Sequence, residues 1–259
     1  MNNFCDGHYF KNYHKFKETR TILDALVLTN YLQWNQTCTK FFEIGVYKGA
    51  NFAIAVEAKD NMECLLVDPD FTFFDSCIPA KLKTQATCLQ IYSKDIDYSN
   101  LPAMDFISWD GDPNHPTPTS DLQNLMPISH EDTVIQLSYV NHPDTDYSRQ
   151  FLRDTKWIKW LELDNSELYA RCDLQDFINN LLENKTGLLD FSRITKGSDT
   201  DDYKWKLAMV QPLVGDERLA HPIEGKDNEY HTHKVDVENA EEFDKNNFNL
   251  FSSFSHLFL

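Results

Sequence analysis

The chain has 259 residues, 41% of them apolar, with 24 basic against 41 acidic residues and a formal net charge of −17. This length and apolar content allow one large domain with appendages, and an acidic surface of this strength repels phosphate backbones, which argues against nucleic acid as a partner. No run approaches the ~18 apolar residues of a membrane span, and residues 1–17 carry no cleavable apolar region, so a cytoplasmic protein without a membrane partner is expected.

Six cysteines stand at 5, 38, 64, 77, 88 and 172, with no C-x-x-C pair and no zinc-finger spacing. Cys64 and Cys88 sit inside apolar runs and are expected to be small buried hydrophobes in a reducing compartment. Residues 1–18 read as an irregular N-terminal arm or lid. Apolar residues at Ile22, Leu23, Leu26, Val27, Tyr31 and Trp34 then predict a helix over 21–34.

The next stretch, Phe41-Phe42-Glu43-Ile44-Gly45-Val46-Tyr47-Lys48-Gly49-Ala50-Asn51, organises the rest. It reads as a strand over 40–44, a tight loop and a helix over 51–58. Gly45 allows a turn that a Cβ would hinder, and Gly49 would let a helix N-terminus approach a ligand closely. A second strand over 62–68 ends in Asp68, and Pro69 stops its ladder. A weak helix over 71–83, interrupted by Pro79, precedes a third strand over 86–92 and Ser93-Lys94-Asp95. A fourth strand over 104–110 runs into Asp110-Gly111-Asp112. A loop marked by Pro113, Pro116 and Pro118 leads to a helix over 119–126 and a fifth strand over 133–140.

Beyond it, 147–163 and 173–182 are predicted helical. Residues 187–194 and 204–213 are predicted to be an antiparallel strand pair around a solvated turn, Asp199-Thr200-Asp201-Asp202. Residues 216–259 form an acidic C-terminal extension with an aromatic end. Strands alternating with helices predict an α/β fold over 19–215: a doubly wound, Rossmann-like, mostly parallel seven-stranded sheet with a late antiparallel strand.

Ligands of such sheets sit at the carboxyl ends of the strands, where Glu43, Asp68, Asp95, Asp110 and Asp112 all fall. A dinucleotide loop needs G-x-G-x-x-G, and Tyr47 stands where its second glycine belongs. A phosphate loop ending in Gly-Lys-Ser or Gly-Lys-Thr is also absent. The ligand is therefore expected to lack a pyrophosphate.

Glu43-x-Gly45-x-x-x-Gly49, Asp68, and Asp105-Phe106-Ile107-x-x-Asp110-Gly111-Asp112 together resemble class I S-adenosylmethionine-dependent methyltransferases. The closest likeness is to the small-molecule and sugar O-methyltransferase branch with E-I-G-x-x-x-G and D-G-D loops. Asp121-Leu122 follows at that branch's spacing, but Pro113 replaces its usual histidine. The resemblance spans roughly 20–213 and implies S-adenosylmethionine as cofactor. Gly45, Tyr47 and Gly49 would meet its amino-acid end, with Glu43 supporting the loop or the ammonium. Asp68 would take the ribose hydroxyls, Ser93 or Asp95 would lie near the adenine amine, and Asp110 would stand beside the amino group or the acceptor.

The implied reaction is methyl transfer to an oxygen of a small-molecule or sugar acceptor. Asp110, His115 and His142 are its catalytic candidates, the histidines as general bases. Some relatives of this kind use Mg²⁺, and Asp110 and Asp112 offer hard oxygen ligands. Residues 136–142 lack the acidic pair that would complete such a site, with only Asn141 and Asp144 as substitutes, so no metal ligand is assigned. His231-Thr232-His233 is an isolated H-x-H. The alternative is a catalytically inactive, methyltransferase-like binding or structural module, which Pro113 and the missing acidic pair favour. Self-association into a homo-oligomer is compatible with either reading.

Overall fold

The computed structural model describes residues 8–16, 22–163, 165–183, 194–198 and 200–207. The strands are β1 (Lys40–Ile44), β2 (Glu63–Val67), β3 (Ala86–Leu89), β4 (Met104–Trp109), β5 (Ser129–Ser138), β6 (Ile158–Glu162), β7 (Ser166–Ala170), β8 (Ile194–Lys196) and β9 (Tyr203–Leu207). The helices are α1 (His8–Lys11), α2 (Tyr13–Phe16), α3 (Ile22–Trp34), α4 (Ala50–Ala58), α5 (Thr72–Cys77), α6 (Ala80–Lys83), α7 (Thr117–Leu125), α8 (Thr145–Asp154) and α9 (Gln175–Glu183). Among the described residues nine strands form one sheet in the order β3-β2-β1-β4-β5-β7-β6-β9-β8. Strands β1 to β5 pair in parallel. β7 runs antiparallel to both its neighbours, β5 and β6. β9 lies parallel to β6, and β8 closes the far edge antiparallel to β9.

A parallel strand covered on both faces reads as a continuous apolar run rather than an alternating one, which is why Phe41 and Phe42 are both fully buried. Phe41 and Phe106 stack at 5.7 Å in the layer beneath α3, α4 and α9. Phe42, Ile107 and Ile135 point the other way, into a second core with Leu122 of α7 and Leu152 of α8. α4 lies deep in the first layer: residues 50–56 are all buried, as expected of a helix that is apolar all round.

The fold class holds, with two strands more than the seven expected. The predicted helix over 147–163 is overturned: α8 ends at Asp154 and β6 starts at Ile158. Its apolar residues Trp157, Trp160 and Leu161 are buried by the sheet rather than along a helix face. β6 and β7 form a hairpin, so the expected antiparallel strand arrives earlier, at 166–170. The late pair exists as β8 and β9, while residues 187–193 and 208–213 lie outside the described residues, as do the extension 216–259 and His231-Thr232-His233. The helix over 71–83 is two helices broken at Pro79. Residues 8–16 are not irregular: Tyr9 and Phe16 stack at 5.4 Å, fully buried, and the carboxylate of Glu57 in α4 takes the backbone N–H groups of His8 and Tyr9. Cys64 is buried as expected, but Cys88 is exposed, because β3 is the edge strand.

Asp105 belongs to the quoted motif yet lies at the amino end of the sheet. Its Oδ2 accepts the N–H groups of Thr39 and Lys40 at 2.7 and 2.9 Å, and its Oδ1 stands 3.0 Å from His130 Nε2. Partial burial alone would raise its carboxyl; the two N–H groups and His130 outweigh it and hold the pKa below the ordinary 3.8. A depressed folded-state pKa gives stability that is complete above about 3.8 and is lost as pH falls through the lower folded value. Asp105→Asn is therefore expected to flatten the loss of stability below about pH 4, measured by urea unfolding across pH 2–6.

Candidate active site

The strand order reverses between β1 and β4, and a cavity of about 820 Å³ opens at their carboxyl ends. This is the switch point of an open α/β sheet, and the volume suits a small organic ligand. β1 delivers the chain into a loop whose backbone is held from both sides. Gly45 N–H donates to Val67 O at 3.0 Å, and Asp110 N–H donates to Ile44 O at 2.8 Å. Gly45 has φ +82°, and a Cβ there would stand 2.1 Å from the carbonyl oxygen of Asp110. Only glycine fits this approach.

Gly49 is also required, but for a different reason from the one expected. With φ +77°, a Cβ would meet the Phe74 ring at 2.6 Å, and Gly49 itself does not line the cavity. The helix start it caps does reach the wall, through Ala50 and Asn51. Tyr47 has φ +46°, is 42% exposed and packs edge-on against Phe73 at 4.9 Å on the cavity rim.

Asp68 organises the loop. Its Oδ2 accepts N–H groups from Val46 at 2.8 Å and Tyr47 at 2.9 Å, while Oδ1 accepts from Asp70 N–H at 2.8 Å. A carboxylate has about four acceptor positions, so three are taken by protein and one remains on Oδ1. Glu43 is 1% exposed at the end of β1 and takes Asn51 Nδ2 at 2.8 Å; the same amide donates to Ser108 Oγ at 3.0 Å. This link ties α4, β1 and β4 together behind the cavity.

Asp110 lines the cavity, as do Asp112 and Ser93. Asp112 accepts from both the backbone and side chain of Asn114, at 3.1 and 2.6 Å. Asp95 is exposed and outside the wall, because the 3-10 turn Ser93–Asp95 points it away. His115 and His142 do not line the cavity either. They meet through Asp144, whose carboxylate accepts His115 N–H at 3.0 Å and whose own N–H donates to His142 Nδ1 at 3.3 Å. The His115 ring lies 4.4 Å from that of Tyr147. Among the described residues no group of three or more His, Cys, Asp or Glu side chains could hold a metal ion.

The cavity wall also holds Asn51, Tyr139 and Asn165, to which sequence reasoning gave no role, and Asp121, which it quoted only for its spacing after the D-G-D loop. Asn51 had a visible signal, a polar residue inside the apolar run Ala50–Ala58. Asn165 had none: it lies past the helix predicted over 147–163, in a stretch given no element. The wall carries Glu43, Asp68, Asp110, Asp112 and Asp121 against Lys94 alone. That balance suits a ligand with positive charge and opposes a pyrophosphate.

No family model and no curated protein sequence matches this chain. Solved structures do. The chain is similar to the SAH-bound methyltransferase PaMTH1 of Podospora anserina, with TM-score 0.53 and 9% identity over 67% of this chain and 89% of that one. It is also similar to a protein of Corynebacterium glutamicum, with TM-score 0.50 and 10% identity over 64% and 90%. At these identities the likeness is one of fold: the chain shares the Rossmann-like α/β fold of that methyltransferase. No helix among the described residues is long and apolar enough to cross a membrane.

Proposed function

We propose that this chain is an S-adenosylmethionine-dependent methyltransferase acting on an oxygen of a small-molecule or sugar acceptor. The observation that carries the reading is the acid-lined cavity at the switch point, beside a glycine turn too close for any side chain. The donor's sulfonium and ammonium cations suit five carboxylates, as a dinucleotide's pyrophosphate does not. Bound there, the donor supplies an electrophilic methyl group. The chain's own part is to align donor and acceptor and to receive the hydroxyl proton. Glu43 and Asp110 would face the amino-acid end, and the remaining Oδ1 position of Asp68 would take one ribose hydroxyl. Asp110, a carboxylate on the wall itself, would accept the proton. His115 and His142 serve only if the loops after β4 and β5 turn their rings inward.

A second reading, binding without turnover, is favoured by one observation: Pro113, in place of the family histidine, lines the cavity, and neither histidine does. Calorimetric titration with S-adenosylmethionine and S-adenosylhomocysteine separates the possibilities. Asp68→Ala is expected to weaken binding by about 10- to 100-fold, since a charge-assisted hydrogen bond and the loop tie go together. Failure of both compounds to bind well-folded wild-type protein sinks the donor reading. Tight binding with no turnover across an acceptor panel leaves the binding module.

A further inference from the structure

The strand order divides the cavity into two halves. A donor with its amino-acid end at Gly45 and its ribose at Asp68 would fill the side of β1 and β2. The side toward β5 and β7 is left for the acceptor. It is lined by Asp112 after β4, Thr117 at the start of α7, Tyr139 after β5 and Asn165 between β6 and β7. The two halves differ in charge. On the donor side the rim tyrosines already seat ammonium groups: Lys48 Nζ lies 5.3 Å from the centre of the Tyr47 ring, and Lys94 Nζ lies 5.5 Å from that of Tyr92. Among the described residues lining the acceptor half none is basic. Arg149, which donates to Val140 O, is held by Glu167 and Asp146.

Asp112 is exposed at the edge of that half. Its Oδ1 accepts both donors of Asn114, the backbone N–H at 3.1 Å and the side-chain amide at 2.6 Å, which fixes the carboxylate and leaves Oδ2 for a ligand. Tyr139 has φ +57°, and its carbonyl oxygen accepts the His142 N–H at 2.9 Å and the Thr145 hydroxyl at 2.7 Å, so its place on the wall is fixed by the loop. A carboxylate and an aromatic face together suit an ammonium group. The charge balance agrees. A bound donor brings two cations and one carboxylate, so it offsets a single charge of a wall with five carboxylates and one lysine. An anionic acceptor would meet the remainder as repulsion. We propose that the acceptor is a small hydroxylated amine, bound as its ammonium by Asp112 and bordered by the Tyr139 ring. Asp110 precedes Asp112 by one residue, Gly111, so both carboxylates lie within the span of one small molecule carrying a hydroxyl and an amine. This rests on the methyltransferase reading above and names the acceptor class of that site.

The test is calorimetry on the full chain saturated with S-adenosylhomocysteine, using two series that vary in charge. One is tyramine, 4-ethylphenol and 4-hydroxyphenylacetate; the other is glucosamine, glucose and glucuronate. The amine of at least one series is expected to bind at least about tenfold more tightly than its neutral and anionic counterparts. Asp112→Asn, whose amide oxygen can still accept from Asn114, is expected to bring that ratio down to about one. Tyr139→Leu is expected to shrink it, and reads the same ratio should the first variant fail to fold. Equal binding across both series, a preference for the neutral or anionic members, or binding of none of the six overturns the acceptor class while the donor reading stands. A ratio unchanged in Asp112→Asn overturns the assignment of the ammonium to that residue. Failure of S-adenosylhomocysteine itself to bind the wild type overturns the donor reading, and this inference with it.

Discussion

Gly45→Ala is expected to lower affinity for S-adenosylhomocysteine by two orders of magnitude or more, equivalent to about 3 kcal/mol. Two effects act together. A non-glycine residue at φ +82° carries about 1–3 kcal/mol of backbone strain. The new Cβ, 2.1 Å from the Asp110 carbonyl, also forces the ends of β1 and β4 apart where the cavity opens. Gly49→Ala is the control. Its strain is similar at φ +77°, but its Cβ meets the Phe74 ring rather than the wall. Thermal unfolding should register both substitutions, whereas calorimetry below the transition should register mainly the first. Equal affinity losses would mean that the loop fails as a unit and that the close approach at Gly45 has no special role.

Glu167→Ala is expected to cost about 3–5 kcal/mol of stability, the usual penalty for removing one partner of a buried ion pair. Glu167 is 1% exposed and takes both carboxylate bonds from Arg149 Nε at 3.1 Å, Lys159 Nζ at 3.0 Å and Tyr169 OH at 2.8 Å. Burial opposes charge on Arg149 and Lys159, yet bonding to Glu167 outweighs it and raises both pKa values. Without Glu167, Lys159 at 5% exposure keeps Glu162 and the 44%-exposed Asp202, and such an exposed partner replaces little. The network joins β6, β7 and α8, and Arg149 also donates to Val140 O, next to Tyr139 on the cavity wall. Urea unfolding measures the cost. Lys159→Met combined with Glu167→Leu should lose less than Glu167→Ala alone, because Lys159 is then not left buried without its counter-ion and Arg149 keeps Asp146. A loss below about 1 kcal/mol for Glu167→Ala would show that water reaches the cluster.

The first five strands were legible because each is a short apolar run ending in an acid or a turn residue, a pattern that local chemistry imposes. Gly45 and Asp68 were legible for the same reason: a glycine where the chain must turn, and an acid where a strand stops. The helix predicted over 147–163 failed because Trp157, Trp160 and Leu161 fit a helical period and a buried strand equally well. Only pairing decides between them, and Ile158–Glu162 pairs with both β7 and β9.

The remaining differences are likewise questions of contact between distant residues. Sequence marked Gly49 as special; the fold assigned the reason to Phe74 in α5. Sequence grouped Asp95 with the other strand-end acids; the 3-10 turn after β3 removed it from the wall, and α7 brought in Asp121, held by Trp109. Sequence marked Asp199-Thr200-Asp201-Asp202 as a solvated turn, yet Asp202 reaches Lys159 and Arg153. Local propensity and apolar period, which act over a few residues, determined the elements and the acid-rich edge. Which acid faces the cavity, and which cation each one meets, depends on loop closure and packing between residues far apart in the chain, and that was decided by the tertiary structure.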